Sequence, residues 1–335
     1  MISTKISPNE AGQRFDKYLK KLLQNAPDSF IYKMLRKKNI VLNGKKADGK
    51  EKLRPDDEVT LFLAEETYGK FSGKSDADTM DITQYVQACQ KLESLHILYE
   101  DEHILIVDKP SGILSQKSGP EDLSVNEWLI GYLLSLKTLA ADSLGTFKPS
   151  VCNRLDRNTS GMVVCGKTLA GSQYLSRIIK DKTLEKYYYC LVSGELTIRE
   201  RVTGYLYKDT LRNKVAVYQH QEEIPNSFKK DSVYIDTAFR SIRKANGITL
   251  LEVQLFTGKT HQIRAHLSAL GYPIIGDPKY GDTAVNQAFA RRGVHCQLLH
   301  AHKLIFPKTS EHMFLKTSDR IVECPPPALF EKLMQ

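Results

Sequence analysis

The sequence predicts an α+β fold in two domains, a small α/β module followed by a larger domain with a mixed or antiparallel sheet. From about residue 95, strand-like apolar runs recur at 96–99, 103–108, 162–165, 186–192, 215–218, 232–240 and 248–256. Few helical segments lie between these runs, which argues against a parallel sheet built from repeated crossovers. The chain has 335 residues, which is long for one compact domain and sufficient for two.

The first segment of the chain has helix and hairpin patterns. Apolar residues recur at helical spacing over 15–23 and again over 31–35, which predicts two helices that each bury one face. Asn43-Gly44 follows an apolar run and predicts a tight hairpin, because both central residues of such a turn take positive φ. A further strand is expected over 58–63.

A polar stretch at 64–92 contains two glycines and few large aliphatic residues, so we expect a linker there. The predicted division is an N-terminal module over 1–75, a linker over 76–92 and the larger domain over 93–330. Within the larger domain, Ser124 and Glu127 form a capping-box pattern at the start of a helix, and Thr168 can cap a second helix. A third is predicted from Thr260 to Leu270.

The net charge of +9 is concentrated at the N-terminus, because residues 1–74 hold 16 Lys and Arg against 10 Asp and Glu. This asymmetry indicates a module that binds a polyanion, with a solvated lysine-rich surface as the alternative. If the second helix packs beside the hairpin, five cations would cluster there, and we take them as candidate RNA-binding residues: Arg36, Lys37, Lys38, Lys45 and Lys46.

Several other classes of protein are disfavoured by composition. No run approaches 18 consecutive apolar residues, so no membrane span is expected. The first residues lack an apolar signal core. The six cysteines are scattered without a Cys-x-x-Cys pair, which fits free thiols in a cytoplasmic protein.

The segment 153–161 carries the strongest candidate for chemistry. Arg154 and Asp156 are two residues apart and share a face if the chain is extended. Nearby arginines favour the ionised form of a carboxyl group. An ionised, positioned carboxylate can attack a sugar C1′, as in retaining glycoside hydrolysis. From spacing alone, an aspartate that caps the turn at 159–161 and pairs with arginine for stability remains the simpler interpretation.

A resemblance to a known family favours the chemical interpretation. The run Arg154-Leu155-Asp156-Arg157, followed by Thr159-Ser160-Gly161, resembles the signature of the RluA-type pseudouridine synthases. Further stretches resemble motifs of this family in its usual order: Ile104–Gly112 (Lys-Pro-x-Gly), Lys186–Gly194 (basic-x-Tyr), Gly258–His266 with Ile275–Gly281 (Arg-Thr-His-Gln-Ile-Arg), and His300–Pro307 (His-Ala). Together they cover most of residues 95–310. The basic segment 13–63 resembles an S4 RNA-binding domain, and its second helix is most similar to that of the RluC branch.

The resemblance implies a role for each site residue. Asp156 would attack C1′ of a target uridine that has flipped out of its stack. Tyr188 would lie over the target base and be the candidate base for the C5 proton. Arg264 would pair with Asp156, and Arg154 would occupy the space that the uridine leaves. The substrate would be structured RNA, most directly large-subunit ribosomal RNA, and the enzyme a monomer without a cofactor or metal.

The sequence departs from the family pattern at a few positions. Asn153 and Gln116 stand where the family usually has histidine, and Lys259 replaces a frequent arginine. The terminal His-Pro pair is reduced to Pro307-Lys308. These departures do not touch Asp156, Tyr188 or Arg264. They concern which branch of the family the chain resembles and which uridine it would modify, and not the expected chemistry.

Other ligand classes have weaker patterns. The run Phe256–Thr260 imitates the end of a phosphate-binding loop, but Val253 stands where that loop needs glycine. No dinucleotide fingerprint is present. The spacing of His295, Cys296, His300 and His302 fits no common zinc site. His261 and His266 are five residues apart, do not share a helix face, and are expected to be structural.

Three rival functions remain open at this point. The same chemistry could act on tRNA, and only the branch resemblance favours ribosomal RNA. A catalytically silent RNA-binding or ribosome-assembly protein is disfavoured by the retention of Asp156, Tyr188 and Arg264 together. A glycosidase would need a second catalytic carboxylate beside Asp156, and none is identifiable.

Overall fold

The computed structural model describes residues 1–72, 82–209 and 214–335. The N-terminal elements follow in chain order: β1 (Ile2–Lys5), α1 (Phe15–Leu22), α2 (Asp28–Arg36), β2 (Ile40–Leu42), β3 (Lys45–Lys46), β4 (Glu58–Leu61) and α3 (Glu65–Ser72). The strands form an antiparallel sheet in the order β1-β4-β2-β3.

The two predicted helices of this module are confirmed, and both bury their apolar faces in one core. Phe15 and Leu19 of α1 meet Ile31 and Leu35 of α2 there, each nearly inaccessible to solvent. The predicted hairpin is also confirmed, with φ of 51° at Asn43 and 70° at Gly44 between β2 and β3. The turn forms because a short polar residue and a glycine tolerate left-handed backbone.

The elements of the larger domain follow: α4 (Thr83–Lys91), β5 (His96–Glu100), β6 (Ile104–Lys109), α5 (Val125–Ser135), β7 (Ser150–Val151), β8 (Ser160–Gly166), α6 (Leu169–Lys180), β9 (Glu185–Ser193), β10 (Arg199–Asp209), β11 (Lys214–Tyr218), β12 (Val233–Ala245), β13 (Ile248–Leu255), α7 (Gln262–Ala269), α8 (Thr283–Ala290), β14 (Leu299–Ile305), β15 (Ile321–Glu323) and α9 (Ala328–Met334).

One mixed sheet organises this domain. Within the described residues its order is β11-β10-β12-β13-β9-β14-β8-β6-β5, with β7 beside β8 and β15 beside β14. The β14 and β8 strands run parallel and the other neighbours are antiparallel. The predicted α+β class with a mixed sheet is therefore confirmed. β8 is buried along its whole length, as expected for a strand covered on both faces.

Helices cover both faces of this sheet. Trp128 of α5 and Leu267 of α7 pack in one core with Val163 and Tyr188 of the sheet. On the opposite face, Leu175 of α6 packs against residues of β6 and β8. Both predicted cap residues are confirmed, since the Ser124 side chain accepts from the Asn126 amide and the Thr168 side chain accepts from the Gly171 amide. The capping box expected with Glu127 is wrong, because the Glu127 carboxylate accepts from the Ser124 hydroxyl and not from its backbone amide. Tyr188 consequently points toward the face that carries α5 and α7.

The expectation of a linker over 76–92 is wrong for its described residues 82–92, and residues 76–81 lie outside the described parts. Helix α4 occupies Thr83–Lys91, and its Tyr85 and Ala88 are buried in the core formed with α5. Helices α4 and α5 pack so closely that a Cβ at Gly131 would lie 2.1 Å from the Tyr85 carbonyl oxygen. The polar sequence concealed the helix because only two of its residues face the core.

Two other boundaries also differ. Helix α3 lies where a polar linker was expected, and its Tyr68 and Phe71 pack against the N-terminal core. At the far end, α9 extends to Met334, and its Phe330 and Leu333 are buried against β9 and β13. The larger domain therefore reaches past residue 330.

The loop after β1 touches the larger domain. Thr146 Oγ1 donates a hydrogen bond to Glu10 Oε1, and Glu10 is buried. Asn9 Nδ2 donates to the Thr138 carbonyl at 3.2 Å. The N-terminal module is thus connected to the larger domain by polar contacts as well as by the chain.

Candidate active site

The Asp156 loop joins β7 to β8. Its backbone is held from both sides, since the Leu155 amide donates to Ser115 Oγ at 3.0 Å and the Ser115 hydroxyl donates to the Leu155 carbonyl at 3.2 Å. The Thr159 amide donates to the Asp156 carbonyl at 3.0 Å and closes the turn. Gly161 follows with φ of 106°, and a Cβ there would lie 2.3 Å from the Ala301 carbonyl oxygen. The Asp156 side chain is partly exposed, at 27%.

Arg264 connects this loop to a second carboxylate. Its Nη1 donates to Asp156 Oδ2 at 2.7 Å, so the predicted ion pair is present. Its Nε and Nη2 donate to Asp277 at 2.6 and 2.8 Å. The planar guanidinium can satisfy both carboxylates at once because its donors lie in a fixed fork. With Arg264 only 4% exposed, this pairing fixes the Asp156 oxygen that it contacts.

Asp277 is a site residue that the sequence analysis did not identify. It is 1% exposed, and besides Arg264 it accepts from the backbone amides of Lys279 and Tyr280 at 2.9 and 3.0 Å. Burial alone would raise the pKa of Asp277, but the bonds from Arg264 and the two amides outweigh it and hold that pKa below its usual range. Asp277 lies in the Ile275–Gly281 motif noted in the sequence, but no sequence pattern indicated that it pairs with Arg264.

Tyr188 lies on β9 and is 7% exposed. Burial raises the pKa of its hydroxyl well above the usual range, and the charge of Asp156 raises it further. The phenol is therefore neutral at physiological pH. Tyr188 packs in the same core cluster as Leu155 and Ile263, the residues that directly precede Asp156 and Arg264 in the chain.

Lys109 is a second residue whose role was not predicted. It is fully buried and donates to the carbonyls of Pro110, Ile113 and Arg157 at 3.0, 2.8 and 3.0 Å. Burial lowers its pKa to about 8, against the opposing charge of Asp156. Three carbonyl partners compensate the buried ammonium group. Lys109 therefore ties the loop after β6 to the loop that carries Asp156.

The candidate RNA-contacting residues are all exposed. Arg154 lies two residues before Asp156. The five N-terminal cations flank β2, with three preceding it and two on its partner β3: Arg36, Lys37, Lys38, Lys45 and Lys46. Their exposed cationic side chains are free of burial and can reach phosphate groups, so they stay candidates for RNA contact.

The described residues contain no group of three or more His, Cys, Asp or Glu that could hold a metal ion. His300 is buried and shares hydrogen bonds with Ser160 and the Cys324 carbonyl. The six cysteines are free thiols. In the parts of the chain that the structure describes, no helix is long and apolar enough to cross a membrane.

Replacing Asp277 by asparagine should leave Arg264 paired with Asp156 alone, because it removes the buried negative charge that accepts two of the arginine's hydrogen bonds. We expect Asp277→Asn to destabilise the protein by about 3 kcal/mol, the usual cost of removing one partner of a buried pair. Activity should fall at least about tenfold, since Arg264 would lose the carboxylate that orients it. Denaturant unfolding and single-turnover assays measure the two effects.

A matched control is the exposed pair of Arg177 with Glu311, whose side chains are 50% and 47% exposed. Glu311→Gln should change stability by less than about 1 kcal/mol, as is usual for surface pairs. Equal effects of the two substitutions would show that Asp277 is not a buried anchor for Arg264.

Comparison with known proteins identifies the family. The model of the RNA pseudouridylate synthase family matches residues 103–269. A ribosomal large subunit pseudouridine synthase C from Haemophilus ducreyi is 31% identical over 92% of this chain and 89% of its own length. A protein with the same name from Vibrio vulnificus is 31% identical over 92% of this chain and 90% of its own.

A solved structure supports the same fold. Human RNA pseudouridylate synthase domain containing 4 superposes with a TM-score of 0.56 at 20% identity, covering 75% of this chain and 95% of that one. The motifs around Asp156, Tyr188 and Arg264 predicted this relationship, and the sequence matches confirm it. The chain belongs to the RNA pseudouridylate synthase family.

Proposed function

We propose that this protein converts uridine to pseudouridine in large-subunit ribosomal RNA, with Asp156 as the nucleophile. One observation carries the proposal: the partly exposed carboxylate of Asp156 is held by the buried Arg264. The proposed substrate class follows the names of the relatives, which are ribosomal large subunit pseudouridine synthases. Their alignments with this chain cover 89% and 90% of their own lengths.

The proposed reaction is an isomerisation at the ribose C1′. Asp156 attacks C1′ with the carboxylate oxygen that Arg264 does not hold, and the bond from C1′ to N1 breaks. The uracil turns, C5 bonds to C1′ as the carboxylate leaves, the C5 proton is removed and N1 gains a proton. No atom is gained or lost overall, so no co-substrate is needed.

Arg264 serves two requirements of this scheme. It fixes the position of the carboxylate, which lowers the entropic cost of attack, and it donates to one carboxylate oxygen while the other stays free to act as the nucleophile. Asp277 keeps the guanidinium in place through two further hydrogen bonds. The reacting oxygen is thus presented by a rigid, buried support.

In this proposal Tyr188 does not act as a free phenolate base. Because burial and Asp156 raise the pKa of Tyr188, its phenolate is not populated at neutral pH. Its hydroxyl can therefore take the C5 proton only while passing its own proton to an acceptor, and the released Asp156 carboxylate is the acceptor at hand. Its ring provides a surface for the flipped base.

The decisive experiment maps pseudouridines in RNA from cells with and without this gene. We expect one or more pseudouridines to disappear from large-subunit ribosomal RNA and to return when the gene is restored. Loss from tRNA alone would move the substrate to tRNA. An unchanged map would reject the proposed function.

We further propose that the N-terminal module, an S4-like domain over about residues 1–75, supplies RNA affinity and site selection. Its five flanking cations are exposed, and each phosphate contact releases counterions, so its binding should depend steeply on salt. The residues proposed for the chemical step all lie beyond residue 100, in the larger domain.

A protein that begins at residue 82 is expected to bind ribosomal RNA more weakly, with a shallower salt dependence, and still to convert uridine when RNA is abundant. The start must precede α4, because Tyr85 and Ala88 belong to the core of the larger domain. Binding constants measured across salt concentrations give the slopes for full-length and truncated protein.

A full-length variant in which Lys37, Lys38, Lys45 and Lys46 become glutamine controls for the contacts of Asn9 and Glu10 that truncation removes. It should also flatten the salt slope, with unchanged thermal stability. If both proteins kept the wild-type slope, the module would be a packing cap with incidental lysines.

Chelation provides a separate test of the proposed chemistry. Because the nucleophile is a protein carboxylate and the isomerisation needs no Lewis acid, we expect activity to persist in excess chelator. Loss of activity that added zinc restores would contradict this mechanism. RNA folding, followed by native gel in the same buffer, separates an effect on the substrate from one on the enzyme.

A further inference from the structure

A histidine beside Asp156 has no part in the scheme above. His261 directly precedes α7 and takes φ of 54° and ψ of 18°, a left-handed conformation that is uncommon for residues with a side chain. Its Nδ1 lies 2.9 Å from the hydroxyl oxygen of Tyr280. That oxygen also accepts the Val215 backbone amide at 3.0 Å. The hydrogen bonds form a chain from β11 through Tyr280 to His261.

The chain favours one tautomer of the imidazole ring. The Val215 amide can only donate, so it occupies one lone pair of the Tyr280 oxygen. The Tyr280 hydroxyl still has its own proton to donate, and among the described residues His261 Nδ1 is an acceptor within reach. Donation to Nδ1 satisfies that proton when Nδ1 carries no hydrogen, which favours the neutral ring with its proton on Nε2.

The surroundings keep this ring neutral. Burial lowers the pKa of His261 below its usual range, and the charges of Arg264 and Lys279 lower it further. Asp156 and Asp277 act in the opposite direction without overcoming burial. The contacts place the ring near the proposed nucleophile, because Tyr280, which His261 contacts, also lies 5.3 Å from the Arg264 guanidinium carbon. Arg264 in turn donates to Asp156 at 2.7 Å. A neutral ring with its proton on Nε2 is a hydrogen-bond donor there and not a base.

We propose that His261 is a substrate-binding residue that donates its Nε2–H to an acceptor oxygen of the target nucleotide, and that the Tyr280 hydroxyl is the positioning group that fixes this tautomer. The inference rests on the proposed function for its substrate. Nothing in the described residues accepts a hydrogen bond from Nε2, and the ring is only partly buried. The donor is therefore available to a nucleotide entering beside Asp156.

Tyr280 has a second contact that supports its positioning role. The Arg264 guanidinium carbon lies 5.3 Å from the centre of its ring, within the range of a cation–π interaction. Its backbone amide also donates to Asp277. One residue thus orients both the arginine that holds Asp156 and the histidine beside it.

Three single variants and one double variant separate these roles. Tyr280→Phe keeps the ring under Arg264 and removes only the hydroxyl. His261→Asn removes the imidazole while asparagine tolerates the left-handed backbone. Tyr272→Phe is the matched control, since Tyr272 is an exposed residue after α7. The double variant of 261 and 280 tests whether the two side chains act as one unit.

The first measurement does not depend on the substrate. Nitrogen-15 NMR of the histidine rings in the full-length protein should show His261 with its proton on Nε2 at neutral pH, and a mixture of tautomers in Tyr280→Phe. A proton on Nδ1 in the wild-type protein would overturn the inference, whatever the enzyme's substrate proves to be.

The second measurement uses single-turnover conversion of a large-subunit ribosomal RNA transcript. We expect His261→Asn to lower the rate roughly tenfold, the loss of one neutral hydrogen bond, with an unchanged melting temperature. Tyr280→Phe should lose less, and the double variant should be no slower than His261→Asn. A wild-type rate for His261→Asn, or additive losses in the double variant, would reject the role. Failure of the wild-type enzyme itself would instead reject the proposed function.

Discussion

Asp156→Asn should abolish pseudouridine formation while RNA binding and stability remain close to those of the wild-type protein. Asparagine has the shape of aspartate and can still accept a hydrogen bond from Arg264, but a neutral amide is not a competent nucleophile at C1′. We expect the rate of conversion to fall by more than about a thousandfold, as when other enzymes lose a nucleophile.

The retained stability follows from the geometry of the arginine. Arg264 remains paired with Asp277 through two hydrogen bonds, so no buried charge is left without a partner in the Asp156 variant. Single-turnover conversion, RNA binding by filter retention and thermal unfolding measure the three properties. Turnover above roughly 3% of the wild-type rate would show that Asp156 is not the nucleophile.

Arg264→Lys has the second-largest expected effect. Lysine keeps the positive charge, but its single ammonium group cannot reproduce the three donors that now reach Asp156 and Asp277. We expect conversion to slow by about a hundredfold, because the carboxylate would lose its fixed orientation. Stability should also fall, by about 3 kcal/mol, since Asp277 is buried and would be incompletely paired.

The chain provides a matched control for this substitution. Arg177 pairs with Glu311 and lies 5.5 Å from the Tyr174 ring, much as Arg264 lies near Tyr280, but its side chain is half exposed. Arg177→Lys should change neither activity nor stability measurably. Normal turnover of Arg264→Lys would mean that charge alone suffices and that the planar bridge is not required.

Local patterns in the sequence were enough to predict much of the fold. Asn43-Gly44 produced the predicted turn because its backbone conformation depends on those two residues. Ser124 and Thr168 cap helices as expected, since a cap needs only a side chain and the next few amides. The motif with Asp156 and the one with Arg264 indicated an ion pair, and the two side chains do meet.

Elements that depend on distant partners were not predictable in this way. Helix α4 was assigned to a linker because most of its residues are polar, and its burial depends on α5, about 40 residues further along the chain. Similarly, α9 forms part of the core through contacts with β9 and β13.

The sequence by itself determined the family, the α+β class and the residues proposed for the chemical step. Motifs and periodicities predict these because they depend on local backbone conformation and side-chain chemistry. The tertiary structure alone decided how that step is supported. Asp277 reaches Arg264, Lys109 ties two loops together, and Tyr280 orients His261. These are contacts between segments that only folding brings together. Their strength comes from burial, which removes competing water and gives each hydrogen bond a larger effect.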